Sequence, residues 1–142
     1  MNEKTVTDQT ASSDLTWLLD SFKERVSGID QVLVVSTDGL PLHACTGLRN
    51  DDAEHFAAIT SGTYSLMRGL DSWVEGSGHV RQIAAQLTTG MYFVTEATVT
   101  SLLAVIANAG ADAGQVGHEM VLLANQVRTH FGTPSRVEGT AG

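Results

Sequence analysis

Apolar and polar positions alternate along this chain in two rhythms, and the changes between them divide it into eight elements. Leu15, Leu18, Leu19, Phe22 and Val26 recur at helical spacing behind Asp14, a helix-capping residue, with Lys23, Glu24 and Arg25 turned outward; Gly28 suits the left-handed stop. Val32 to Val35 then form a β-branched and aliphatic run, and Asp38-Gly39 predicts a tight hairpin with both central residues at positive φ, as a type I′ turn requires. Pro41 lacks an N–H and belongs on an edge strand, so the hairpin spanning Gln31 to Thr46 lies at one side of its sheet.

Asp51 or Asp52 caps the longest helical pattern, which runs to about Val74. Phe56, Ile59, Thr63, Leu66, Leu70 and Trp73, widened by Met67 and Val74, form a stripe expected to pack on the sheet. A second stripe, Ala58, Gly62, Ser65, Gly69 and Ser72, lies about 100° away on an ideal helix and holds only small side chains. Glycine inside a helix costs about 1 kcal/mol relative to alanine, so two of them ask for another backbone close by. The stripe either lets the helix lie tightly on its own sheet or receives a symmetry-related copy, and the second is favoured because the first stripe already supplies a sheet-facing side.

Glu75 to His79 breaks the helix, and three strands follow over Val80 to Leu87, Met91 to Ala97 and Leu102 to Asn108. Arg81 and Gln86 mark the first as an edge strand; the nearly continuous apolar run Leu102 to Ala107 marks the third as central. Asp112 caps a last helix with Val116, Met120, Leu123, Val127 and Phe131 on its buried stripe, and Gly132 with Pro134 reads as its stop. The expected fold is of the α/β (α+β) type, in the order α-β-β-α-β-β-β-α, with a five-stranded antiparallel sheet flanked by helices on both faces. One domain spans 14–132, between flexible tails at 1–13 and 133–142.

Composition narrows the function. The chain has 142 residues and a net charge of −8, which disfavours nucleic acid and anionic membrane surfaces. One cysteine excludes an internal disulfide, and no apolar run is long enough to insert in a membrane, so a cytoplasmic location is expected. Only Lys4 and Lys23 are present and neither follows a glycine-rich loop, so a P-loop is absent. His118-Glu119 lacks the second histidine of a zincin, and Ser77 beside Gly78-His79 lacks a nucleophile elbow. His43 and Cys45 alternate on one strand but want a third ligand to hold a metal. No constellation calls for catalysis, a metal or a cofactor.

The element order, the hairpin VLVVSTDGLPL, the helix opening DDAEHFAAITSGTYSL, and the segments MYFVTEA and LLAVIANAGADAGQVGHEM together resemble the roadblock/dynein light-chain family, in particular its small actinobacterial members, from about Asp14 to Phe131. The resemblance implies a profilin-like fold and a homodimer in which the strand after the long helix pairs with its copy while the two long helices lie side by side. The expected interface is Ala58, Gly62, Ser65, Gly69 and Ser72 on the helix with Val80, Arg81, Gln82, Ile83 and Ala84 on the strand. It also implies a Ras-like small GTPase as partner, in a complex that can include a sensor kinase, docked on Glu54, His55, Ser61, Arg68 and Asp71; Arg68 or Arg49 would be the arginine finger if one were donated. A small-molecule sensor and a passive adaptor are the alternatives.

Overall fold

The computed structural model describes residues 15–75 and 80–141, with side chains as far as Phe131. Helix α1 covers 15–25, and Leu15, Leu18, Leu19, Phe22 and Val26 are all buried, as their spacing requires. Strands β1 (Ile29–Ser36) and β2 (Pro41–Ala44) form the first hairpin. Helix α2 (Asn50–Arg68) runs into a 3-10 turn over Gly69–Ser72. Strands β3 (Gln82–Gln86), β4 (Gly90–Thr98) and β5 (Ser101–Asn108) follow, and helix α3 (Ala113–Ala141) closes the order.

The five strands form one antiparallel sheet in the order β2-β1-β5-β4-β3. β5 is therefore central, and its alternation serves two cores. Leu103, Val105 and Ala107 pack with α1 and α3, while Leu102 and Ala104 pack on the α2 side. An apolar run with no polar alternation is what a strand covered on both faces needs. β2 and β3 are the two edges, as Pro41 and the polar residues around β3 indicate.

Several boundaries differ from the sequence expectation, each for a local reason. Gly39 has φ +99°, but no described residue other than glycine has positive φ, so Asp38 does not complete a type I′ turn. Gly39 N–H instead donates to Ser36 O at 3.0 Å and Leu40 N–H to Ser36 Oγ at 2.9 Å, giving a three-residue loop that ends on a left-handed glycine. Helix α2 begins without a side-chain cap, Arg49 standing at the position given to Asp51 or Asp52, and these two acids fall in its first turn, where the helix dipole favours them. β3 is shorter than Val80 to Leu87, so Val80 and Arg81 lie just before it. Asp112 does cap α3, its Oδ1 accepting from Gln115 N–H at 3.0 Å.

Helix α3 continues to Ala141, so the helix stop expected at Gly132 and Pro134 is corrected. Gly132 stays helical instead of turning left-handed, and a proline removes only one hydrogen bond from a helix that can carry on past it. The expected tail 1–13, the cap at Asp14 and the break at 76–79 lie outside the described residues. Among the described residues, no helix is long and apolar enough to cross a membrane.

Candidate functional site

Helix α2 carries a sheet-facing side that is not the stripe of largest hydrophobicity. Its buried residues are Ala53, Phe56, Ala57, Thr60 and Tyr64. Their spacing of three and four is helical, and two alanines let the backbone sit close to the sheet. The two polar members are satisfied across the gap: Tyr92 Oη donates to Thr60 Oγ1 at 3.0 Å, and Tyr64 Oη donates to the Glu96 carboxylate. Burial and the neighbouring carboxylate together push the Tyr64 phenol up to about 12.

Of the stripe expected on the sheet, only Phe56 is buried. Ile59, Leu66, Met67, Leu70, Trp73 and Val74 are exposed, Leu66 at 74% and Trp73 at 83%, and Thr63 is half-buried with its hydroxyl returned to Ile59 O at 2.7 Å. This corrects the sequence expectation: the apolar stripe points away from the sheet. The chain changes to a 3-10 turn at Gly69, so Leu70 and Trp73 also leave the α-helical phase on which their place in the stripe rested.

The small stripe is exposed as well. Ala58, Gly62, Ser65, Gly69 and Ser72 all face solvent, and a Cβ at Gly62 or Gly69 would meet nothing within 4 Å. These glycines are not needed for tight packing on the chain's own sheet. On an ideal helix the small residues and Ile59 and Leu66 share the half that faces away from the sheet, so the outward surface carries large apolar side chains beside a low ridge of small ones. Exposed apolar area of this kind marks an interaction surface.

The second exposed feature is β3. It pairs with β4 alone, and Gln82, Ala84 and Gln86 are exposed while Ile83 and Ala85 are half-buried against the α2-side core. Among the described residues, its outer backbone groups have no strand to pair with. Edge strands of natural proteins are usually blunted by proline, charge or a bulge; among the described residues flanking β3, the one charge is Arg81.

The five residues expected to dock a partner are spread along α2 and the 3-10 turn after it. Glu54, Ser61 and Arg68 recur every seven positions and share one flank of α2. Ser61 is half-buried there, its hydroxyl donating to Ala58 O at 3.4 Å beside the β1–β2 turn, where a Cβ on Gly39 would come within 3.1 Å of it. His55 points outward about 100° from Glu54 on an ideal helix, and Asp71 belongs to the 3-10 turn. Arg68 lies 6.0 Å over the Tyr64 ring, and Arg49 is exposed ahead of α2.

The remaining chemical candidates serve the fold. Cys45 is buried; its Sγ accepts from Val32 N–H at 3.4 Å and lies 3.3 Å from Gln31 Oε1. His43 packs against Phe131 with the rings tilted by 45° and their centres 5.6 Å apart, and burial lowers its pKa. Glu119 of the failed zincin pattern pairs with Arg25 at 3.5 Å. Among the described residues, no three His, Cys, Asp or Glu side chains are gathered to hold a metal.

Comparison with known proteins decides what this architecture belongs to. The model of the Roadblock/LC7 domain matches residues 15–107, from α1 through β5. The chain belongs to the Roadblock/LC7 family. A Roadblock/LC7 domain from Streptomyces avermitilis is 36% identical over 82% of this chain and 96% of its own, with a TM-score of 0.76. MglB of Myxococcus xanthus shares the fold at 16% identity and a TM-score of 0.76, covering 84% of this chain and 96% of that one. Profilin IA of Acanthamoeba castellanii shares it more loosely, at 12% identity and a TM-score of 0.59 over 81% and 97% of the two chains. No curated protein matches the chain. Roadblock/LC7 membership and the profilin-like fold agree with the resemblance read from the sequence.

Proposed function

We propose that this Roadblock/LC7 chain is a non-catalytic homodimeric platform that docks a Ras-like small GTPase and acts in the cytoplasm. The observation that carries the reading is the outward face of α2: Ile59, Leu66, Leu70 and Trp73 exposed in one chain, beside glycines that obstruct nothing. A second copy covers that face and the bare β3 edge in one step. The tetrameric arrangement reported for an MglB shows that a relative of this fold self-assembles, and supports looking for assembly here.

Parity restricts how two β3 strands can pair. In an antiparallel pair related by a two-fold axis perpendicular to the sheet, the α2 face of one copy continues into the α2 face of the other, so partnered residue numbers must sum to an even number. Centring the axis on Ala84 uses all five residues of β3. Gln82 then meets the second copy's Gln86, and Ile83 meets its Ala85, a large side chain beside a small one. The two α2 helices come to the same side of the joined sheet, where the glycines allow a close crossing. The GTPase docks on the remaining outer surface, with the Glu54, Ser61 and Arg68 flank and His55 at its border.

Light scattering of the chain alone and with small GTPases of the same organism, loaded with GTP or GDP, tests this. About twice the 15.0 kDa chain mass, and a heavier complex that depends on the nucleotide, is the expected result. A monomer that binds none of them overturns the reading. A complex whose GTP turnover equals that of the free GTPase makes the chain an adaptor instead of a modulator.

A further inference from the structure

Beyond the outer face of α2 and the β3 edge, a further group of exposed apolar side chains clusters at one end of the sheet. At the end of the sheet bearing the β1–β2 and β4–β5 turns, Thr37 N–H donates to Thr100 O at 2.9 Å and ties the two turns together. Around them Leu40, Leu42 and Val99 are exposed, Val99 at 88%. One such residue is ordinary; three beside a cavity ask for an occupant. The cavity measures about 570 Å3 and lies between the β4–β5 hairpin and helix α3, with Leu42, Ala97, Val99 and Phe131 as its apolar walls and Arg128 at its border. That volume is in the range of small-ligand sites.

Arg128 is oriented. Its Nε donates to Ala97 O at 3.1 Å and its Nη1 to Asn125 Oδ1, which leaves Nη2 without a partner among the described residues. Glu96 also borders the cavity, but its carboxylate accepts from Tyr64 Oη on the α2 side of the sheet. Thr98 and Ser101, whose hydroxyls lie 2.7 Å apart, add hydrogen-bonding capacity to the same lining. A guanidinium held by two of its nitrogens presents a preset donor to an oxyanion. In a chain of net charge −8, it is also a local exception to the general repulsion of anions.

We propose that this cavity binds an aliphatic carboxylate, the tail against Leu42, Ala97, Val99 and Phe131 and the carboxylate on Arg128. The site is built on β2, the β4–β5 hairpin and α3, at the turn end of the sheet, so it is not part of the outward α2 face that a second copy would cover. Ligand binding here adds a small-molecule input to the GTPase platform, and its test stands or falls separately from the oligomeric state.

Sodium decanoate, titrated below its micelle concentration into the full chain and followed by calorimetry, is the probe. The expected result is saturable binding, one per chain, with decan-1-ol and acetate each at least tenfold weaker, since one lacks the charge and the other the tail. Arg128→Met should weaken decanoate about tenfold. Val99→Glu, at a side chain too exposed to disturb the core, should weaken it as much by placing a carboxylate at the mouth. Absence of saturable binding overturns the site, as does decanoate binding that decan-1-ol equals or that both variants leave unchanged.

Discussion

The two faces of helix α2 use the same nineteen residues to opposite ends. The face toward the sheet is built from alanines, one phenylalanine, a threonine and a tyrosine, and every polar atom singled out there has a partner in β4. The outward face has the larger aliphatic side chains, yet no described residue covers them. Hydrophobicity is thus higher where burial is lower. Close approach to a sheet selects small residues and satisfied polar ones, because a helix that lies close gains contact over its whole length; an intermolecular face must instead present apolar area that a partner can remove from water.

The comparison breaks most sharply at Phe56. Phe56→Ala removes a ring that packs against Tyr92, with centres 6.1 Å apart, and empties the α2-side core. A loss of about 3 to 5 kcal/mol in denaturant unfolding is expected, the same at every protein concentration. A loss that instead grew or shrank with concentration would put Phe56 in an interface. Gly62→Leu is next and should move two observables in opposite directions. The site is open in the single chain and leucine is the better helix former by roughly 1 kcal/mol, so the isolated chain gains stability. The same side chain wedges paired helices apart and lowers the solution mass. A Gly62→Leu chain that stays dimeric removes the proposed seam.

How much of this was legible in the sequence follows from what each signal measures. The first helix, the central apolar strand and the edge position of Pro41 could be read because a single burial environment imposed a single period. On α2 two apolar environments compete, and the spacing of Ile59, Leu66, Leu70 and Trp73 could not say whether the sheet or a second molecule lay beneath. Ala53, Ala57 and Thr60 would have been found by asking which side was small enough to approach a sheet, and Tyr64 by asking which polar groups have cross-sheet partners. The decisive partner atoms, Thr60 with Tyr92 and Tyr64 with Glu96, are 32 positions apart in both cases, beyond any local pattern. The small-residue stripe was visible because glycine in a helix is a local cost that the sequence shows directly. The cavity at Arg128 was not, since it joins β2, the β4–β5 hairpin and α3.

Tyr64 sharpens the comparison more gently. Tyr64→Phe keeps the ring on the sheet and deletes the hydroxyl that donates to Glu96, so about 1 to 2 kcal/mol of stability should be lost at neutral pH. The alkaline limb distinguishes this from a packing effect. The phenol is raised in the folded chain from 10.0 to about 12, so its contribution is complete below pH 10 and declines as the pH rises through 12. Stability measured by denaturant across that window should fall less steeply for Tyr64→Phe than for the parent chain. Parallel curves would mean that the hydroxyl does not hold the helix to the sheet.

The smallest effect is expected at Arg68, on the border between the two faces. Its guanidinium is exposed and meets the Tyr64 ring at 6.0 Å, a distance at which a solvated cation adds little, so Arg68→Ala should change stability by less than about 0.5 kcal/mol. The functional reading makes the same variant informative. An arginine donated into a GTPase active site is worth orders of magnitude in turnover, whereas one that only borders a docking surface changes association modestly and its salt dependence more. GTP hydrolysis by the docked GTPase should therefore be unchanged by Arg68→Ala at saturating concentration. A collapse of stimulated turnover with the complex still formed would make this flank of α2 a chemical participant, and the outward face would then do more than hold its partner.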